Sequence, residues 1–168
     1  MDQMHETFGR SRRRTLKLLG AAGALSLGAL LPFEAPLAQG LGTPQEDEKV
    51  ADTMKRLFGG RPVQAAGEKL KFDAPMIAEN GAVVPVKIDV ELPMSPNSYV
   101  KNIYVIADKN RRPLNAKFSL TPDAGKASVA TNIRLASTTD VRAIAEMSDG
   151  AIYEAKREVK VTVGGCGG

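Results

Sequence analysis

The sequence predicts an all-β fold: an immunoglobulin-like antiparallel β-sandwich of about seven strands, with one short N-terminal helix and a flexible C-terminal tail. Three observations lead to this fold class. Short runs of alternating apolar and polar residues recur along the chain, turn residues separate them, and no long helical pattern interrupts them. The length of 168 residues is that of one ordinary domain with its own core.

Residues 1–38 are predicted to be a signal peptide. The segment 11–17 (SRRRTLK) carries paired arginines and is followed by an apolar stretch at 18–31, which is shorter than the ~20 residues that span a bilayer. Paired arginines followed by Leu and Lys are typical of the twin-arginine route, which exports folded proteins. An ordinary secretory signal rich in arginine is the alternative. Small residues predict a cleavage point near 38–40. Export by this route predicts that the mature protein is in the periplasm.

The composition excludes several classes of function. The chain has one His and one Cys, and His5 lies in the predicted signal peptide. A mature chain without histidine has no catalytic triad, Cys/His dyad or His-ligated metal, so no catalytic residue, cofactor or metal is predicted. The net charge of +4 also comes partly from the signal peptide, and no Lys/Arg run with interleaved aromatics follows it. Neither nucleic-acid binding nor a membrane span is therefore predicted.

Residues 39–60 are predicted to contain one amphipathic helix. Thr43-Pro44-Gln45-Glu46 offers an N-cap, a proline at the first helical position and a capping-box glutamate. Apolar residues then recur at helical spacing, at Val50, Met54, Leu57 and Phe58, and Gly59-Gly60 end the helix. Such a helix either covers the core of its own domain or binds a partner. We expect it to cover the core.

Residues 61–163 are predicted to form the sandwich, because the apolar period there changes from 3.6 to 2. The predicted strands are 69–73, 84–91, 99–108, 114–120, 126–135, 140–147 and 151–163. Turn residues connect them, and Asp149-Gly150 is typical of a two-residue hairpin.

The tail, residues 164–168, carries the candidate site. Cys166 stands between Gly164-Gly165 and Gly167-Gly168, with no nearby group that would activate its thiol. An unactivated thiol on a flexible glycine arm suits a covalent handle that enters the active sites of other enzymes. The alternatives are an intermolecular disulfide and an incidental surface thiol.

These residues resemble the SoxY family, the sulfur-carrying subunits of the bacterial thiosulfate-oxidising (Sox) system. The tail carries most of the resemblance. Weaker likeness extends through segments 58–60, 77–82, 84–86, 99–101, 108–110 and 133–136.

The resemblance implies that Cys166 is the site of covalent attachment and that Gly164, Gly165, Gly167 and Gly168 form a swinging arm. It implies a heterodimer with SoxZ, a smaller β-sandwich protein. It also implies that the haem c enzyme SoxXA attaches thiosulfate, that the dimanganese hydrolase SoxB releases sulfate, and that in complete systems the sulfane dehydrogenase SoxCD oxidises the outer sulfur. The chain itself is then a non-catalytic carrier.

Two other functions and two groups of charged residues are alternatives to this interpretation. An exported binding or scaffolding module whose terminal Cys forms an intermolecular disulfide is the main alternative, and an enzyme using carboxylates is the third. Lys156, Arg157 and Lys160 could meet an anionic adduct, although edge strands often carry such charges against aggregation. The carboxylates Asp89 and Glu91 share a solvent face and do not indicate acid/base chemistry.

Overall fold

The computed structural model describes residues 46–165, so residues 1–45, with the predicted signal peptide, and residues 166–168 lie outside the described part. One helix, α1 (Val50–Phe58), precedes ten strands. The strands are β1 (Val63–Ala65), β2 (Leu70–Asp73), β3 (Ile77–Asn80), β4 (Val84–Val90), β5 (Met94–Ser95), β6 (Ser98–Ala107), β7 (Leu114–Ser119), β8 (Ala127–Ile133), β9 (Thr139–Met147) and β10 (Ile152–Val163).

The strands form two sheets that pack face to face, which confirms the predicted all-β sandwich with a short N-terminal helix. The larger sheet has the order β1-β10-β9-β6-β5, with β3 also paired to β10 and β7 to β6, and the smaller has the order β2-β4-β8. All seven predicted strands are present, each within two residues of its expected ends. Three short strands add to the seven predicted ones, and two of them, β1 and β3, pair parallel to β10, whereas the other strand pairs are antiparallel as predicted.

The core between the sheets comes from the period-2 pattern of the strands. Val84, Val86, Ile88 and Val90 of β4 are all at most 4% exposed. They pack in one cluster with residues of β6 and β9 such as Val105 and Val141. The alternating polar residues of β4 face away from this cluster, as the burial of every second position shows.

Helix α1 packs on the other face of the larger sheet. Phe58, 2% exposed, meets the ring of Tyr104 edge-on with centroids 5.3 Å apart, in a cluster that includes Ile144 and Ile152. The helix therefore covers its own domain. It ends as predicted at Gly59, which has a φ of 60° and donates its amide to the Lys55 carbonyl.

The predicted start of the helix is wrong. The helix begins at Val50 with Lys49 as N-cap, so Glu46 is not in its first turn; Thr43 and Pro44 lie outside the described residues. The chain before Val50 is tied elsewhere, because the amide of Glu48 donates to the Arg111 carbonyl at 2.9 Å.

Candidate functional site

The C-terminal end of β10 leads to the candidate site. Gly164 and Gly165 follow the strand, and Cys166, Gly167 and Gly168 lie outside the described residues. Gly165 is buried, although the sequence predicts it as part of a flexible arm. The structure thus changes the interpretation of the first two glycines of the tail, which we call the arm root.

A clasp formed by two backbone segments, 80–82 and 134–136, holds the arm root. The amide of Gly165 donates to the Leu135 carbonyl at 3.0 Å, and the amide of Leu135 donates to the Gly81 carbonyl at 2.7 Å. The Gly81 amide in turn donates to the Val163 carbonyl at 2.7 Å. Two backbone hydrogen bonds therefore link the end of β10 to the clasp, one to each segment, and a third joins the two segments.

The clasp has no room for side chains at three glycines. A Cβ on Gly165 would lie 2.7 Å from the amide nitrogen of Ala82 and 2.8 Å from its Cα. A Cβ on Gly164 would overlap the Ala136 carbonyl oxygen, and one on Gly81 would overlap the Leu135 carbonyl oxygen. Close backbone approach therefore requires glycine at Gly164 and Gly165 in this structure, and their role in a swinging arm stays a prediction.

Two amide side chains, the buried Asn110 and the exposed Asn80, fix the shape of the clasp. Asn110, 5% exposed, donates from Nδ2 to the Arg134 carbonyl at 2.7 Å and accepts the Ala136 amide at Oδ1 at 3.1 Å. Asn80 Oδ1 accepts the Ala82 amide at 2.8 Å, in the turn that follows β3. Asn110 therefore bridges both ends of one clasp segment.

The clasp brings together segments that are distant in sequence. Residues 77–82, 108–110 and 133–136 all carry part of the family resemblance, and all three meet at the arm root. Residue-by-residue reasoning missed Asn110 and Gly81 as site residues. Both residues lie in segments that resemble the SoxY family, and this resemblance is the sequence feature that could have indicated them.

Four large hydrophobic side chains are exposed in the described part of the chain. The exposed large hydrophobic residues of the described chain are Met76 (76% exposed), Ile77 (63%), Val83 (60%) and Val163 (62%). Ile77 and Val163 belong to the paired strands β3 and β10, and Val83 lies two residues after the clasp residue Gly81.

The basic residues considered on β10 make contacts within the domain. Lys156 pairs with Asp140 at 2.9 Å, and Arg157 donates to the Ala74 carbonyl at 3.2 Å. Lys160 lies opposite Ile77 in the β3–β10 ladder. Within residues 46–165, only Lys160 of these three has no ionic or hydrogen-bond partner for its side chain, so the group forms no anion site there.

The carboxylates Asp89 and Glu91 lie in separate surface ion pairs. Asp89 accepts a hydrogen bond from Ser128 at 2.6 Å and pairs with Lys87 at 3.0 Å. The Ser128 hydrogen bond, followed by that of Lys87, lowers the pKa of Asp89 to about 2. Glu91 pairs with Lys71 at 3.3 Å. A carboxyl with so low a pKa stays ionised at neutral pH and cannot act as a general acid.

One buried carboxylate was not predicted. Glu146 accepts hydrogen bonds from Tyr104 at 2.7 Å, Asn102 at 2.9 Å and Arg61 at 2.7 Å. Burial alone would raise the pKa of Glu146, but these donors outweigh it and hold the pKa below its usual value. Its lone pairs are occupied, and the group lies beneath α1, so its role is to attach the helix.

Metal sites and membrane spans are considered for residues 46–165. No cluster of three or more His, Cys, Asp or Glu residues could hold a metal ion there. No helix in this part of the chain is long and apolar enough to cross a membrane.

Comparison with known proteins supports the resemblance. The model of the family described as sulfur oxidation protein SoxY matches residues 54–166. The structure of the sulfur carrier protein SoxY from Chlorobium limicola f thiosulfatophilum is 34% identical, with a TM-score of 0.57, and the match covers 68% of this chain and 97% of that one. No curated protein sequence matches the chain.

The fold is shared more widely. A superoxide reductase (neelaredoxin) from Ignicoccus hospitalis has a TM-score of 0.50 at 18% identity, over 62% of this chain and 89% of that one. At this identity the likeness shows the sandwich fold alone.

Proposed function

We propose, because the chain belongs to the SoxY family of sulfur oxidation proteins, that it is a covalent sulfur carrier of thiosulfate oxidation with Cys166 as the attachment site. The observation that carries the proposal is the extent of the match, which reaches residue 166 in the family model and covers 97% of a sulfur carrier protein. Cys166 is the sole cysteine, so no other side chain of this chain can hold sulfur through a disulfide-type bond.

The chemistry at Cys166 follows from thiol reactivity. When the Cys166 sulfur bonds to the outer sulfur of thiosulfate, the thiol loses its proton and two electrons leave to the haem c enzyme, SoxXA. Water then cleaves the sulfonate from the adduct in SoxB, which releases sulfate and protons and leaves a persulfide. Where SoxCD is present, the outer sulfur gives up six electrons and takes oxygen from water, and a second hydrolysis restores the thiol.

The surroundings of the arm root support a carrier rather than a catalyst. The groups in closest contact with Gly164 and Gly165 are backbone atoms of Gly81, Ala82, Leu135 and Ala136. None of these groups can take the proton of a thiol or stabilise a thiolate by charge. Activation of Cys166 is therefore left to the enzymes that receive it, and the chain acts as their substrate.

The carrier is proposed to work in the periplasm as a heterodimer with SoxZ. The paired arginines of segment 11–17 support folded export of the chain, and a folded complex can take along a partner that lacks its own signal. The surface that holds this partner is distinct from the thiol, because the thiol must remain accessible to enzymes.

Intact-mass spectrometry of the protein after turnover with thiosulfate tests the function. We expect the C-terminal peptide to gain the mass of a thiosulfonate, persulfide or sulfonate. The Cys166→Ser variant should gain none and should not support thiosulfate oxidation, while its fold and partner binding stay intact. Thr162→Ser, an equally conservative change at an exposed position near the tail, is the matched control. Normal turnover by Cys166→Ser would instead favour the scaffolding alternative.

A further inference from the structure

One edge of the smaller sheet is open and unprotected. Within residues 46–165, β8 (Ala127–Ile133) pairs with β4 alone, so no strand lies along its other side. β8 has seven residues, none of them charged and none of them proline, and its register with β4 runs without a bulge. An edge of this kind can accept a further strand.

The other edge strands of the described chain carry the protection that β8 lacks. β1, β2, β3 and β5 have at most four residues each. β7 has six residues, but it contains Lys117, and its register with β6 shifts between Val105 and Ile106. Short length, charge and bulges are the means by which proteins keep sheet edges from pairing with other chains. The edge of β8 is therefore an exception within this fold.

The backbone of β8 presents three residues to the open side. The Glu91 amide donates to the Lys69 carbonyl, so Glu91 of the β2–β4 ladder bonds towards β2. Because backbone groups alternate in direction along an antiparallel strand, Val90 bonds towards its β8 partner Ala127, and every second residue of β4 before it also bonds towards β8. The β8 residues whose amides and carbonyls point to the open side are Ser128, Ala130 and Asn132.

Basic residues flank this edge at both ends. Lys126 precedes β8, with a side chain that is 61% exposed and lies 3.5 Å from Asp89, and the exposed Arg134 follows β8. A second copy of β8, aligned antiparallel so that all seven residues pair, would place Lys126 opposite Arg134 at each end. Like charges in opposite positions destabilise a strand pair, and unlike charges stabilise it. A second copy therefore fits the edge poorly, and a strand with carboxylates at its ends fits it well.

We infer that β8 is the docking edge for a partner protein, which adds to the smaller sheet an uncharged strand flanked by acidic side chains. Backbone hydrogen bonds to Ser128, Ala130 and Asn132 supply affinity. The acidic flanks beside Lys126 and Arg134 supply specificity. The inference does not rest on the proposed carrier function, because it uses no residue of the tail.

Two synthetic peptides test the inference on the full chain, purified alone. One peptide has the sequence of residues 126–134, and the other has the same sequence with Lys126→Glu and Arg134→Glu. Each carries a fluorescein label, and its anisotropy is measured against protein concentration. We expect the glutamate-flanked peptide to bind about tenfold more tightly than the unmodified one. Because the charged contacts are exposed, this difference should shrink at high salt.

Variants of the protein locate the binding edge. Ala130→Pro removes an amide that points away from β4, so the sheet should form while binding of the glutamate-flanked peptide falls about tenfold. Ala130→Ser keeps the amide at the same exposed position and should bind as wild type. Lys126→Ala changes an exposed side chain outside the strand, so it should narrow the difference between the two peptides even where Ala130→Pro does not fold.

The absence of binding by either peptide, equal affinity of the two peptides, or undiminished binding to folded Ala130→Pro would each overturn the inference. Sedimentation of the protein without peptide adds one more test. A dimer that Ala130→Pro dissociates would show that a second copy occupies the edge, and this result too would overturn the inference.

Discussion

Gly165 and Asn110 show how single residues set the position of the arm root. Gly165 contributes the absence of a side chain, which lets its backbone approach Ala82 closely. Asn110 contributes a buried amide that holds the carbonyl of Arg134 and the amide of Ala136. Each of these hydrogen bonds contributes about 0.5–1.5 kcal/mol to the stability of the clasp.

Replacement of Gly165 by alanine should release the arm root without unfolding the domain. The new Cβ would overlap backbone atoms of Gly81 and Ala82, and the shortest way to relieve this overlap is loss of the hydrogen bond to Leu135. That bond is worth about 0.5–1.5 kcal/mol, so the melting temperature should change little. A nitroxide label on Cys166, the sole cysteine, should become more mobile in its electron paramagnetic resonance spectrum.

The exposed neighbour Thr162 provides the control for this measurement. Thr162→Ala alters β10 close to the arm root but adds no atoms to the clasp, so the label should keep its wild-type mobility. Equal label mobility in Gly165→Ala and wild type would show that the clasp does not restrain the tail in solution.

At the scale of elements, β10 organises the larger sheet. It pairs antiparallel with β9 over eight residues, from Ile152 to Val159, and parallel with β1 and β3 near its two ends. The end beside β3 leads into the clasp, and the end beside β1 lies near α1. One strand therefore connects the helix attachment to the arm root.

Helix α1 is attached to the sheet through the buried carboxylate of Glu146. Arg61, just after the helix, donates to Glu146 at 2.7 Å, to the Phe58 carbonyl at 3.1 Å and to the Gly150 carbonyl at 3.2 Å. The same carboxylate accepts a hydrogen bond from Tyr104 of β6. Burial, followed by this hydrogen bond, raises the pKa of Tyr104 above its usual value, so the hydroxyl remains a donor at all physiological pH values.

Glu146→Gln should reduce stability most at neutral pH. Because the folded state holds the pKa of Glu146 below its unfolded value of about 4.3, the ionised carboxylate stabilises the fold above that pH. This stabilisation is lost as the pH falls through the lower, folded pKa. We expect a loss of about 1–3 kcal/mol in the free energy of unfolding at pH 7, which shrinks towards pH 3.

Urea denaturation at pH 7 and pH 3 measures this difference. Glu68→Gln removes an exposed carboxylate and should show little loss at either pH. A loss for Glu146→Gln that is equal at both pH values would contradict the assignment of its ionised form to helix attachment.

The long strands could be predicted from the sequence, and the short strands could not. Strands such as β4 have a strict alternation of buried and exposed residues, which the sequence displays directly. The unpredicted strands β1, β3 and β5 have two to four residues, too few to show a period, and exist because β10 and β6 offer edges to pair with. The clasp could not be predicted, because Gly165, Leu135 and Gly81 meet only through tertiary packing.

At the scale of the whole molecule, the fold of the mature domain depends on its last strand. β1 pairs with β10, so the residues near Val63 find their pairing partner only after Ile152 and the residues that follow it have been synthesised. Sheets built from such distant pairings fold slowly, because the loop must close before its contacts are gained. The proposed export in the folded state would let the β1–β10 pairing and the clasp form before translocation.

Substitution of the paired arginines tests this export route. Arg12→Lys with Arg13→Lys keeps the positive charge of the predicted signal peptide, which an ordinary secretory signal requires, but removes the arginine pair of the twin-arginine motif. We expect the double variant to remain in the cytoplasm, together with any partner subunit that crosses with it. Immunodetection in periplasmic and cytoplasmic fractions measures this, with Arg14→Lys as the control that keeps the pair. Normal periplasmic levels of the double variant would show that the chain crosses unfolded, and the clasp would then have to form after export.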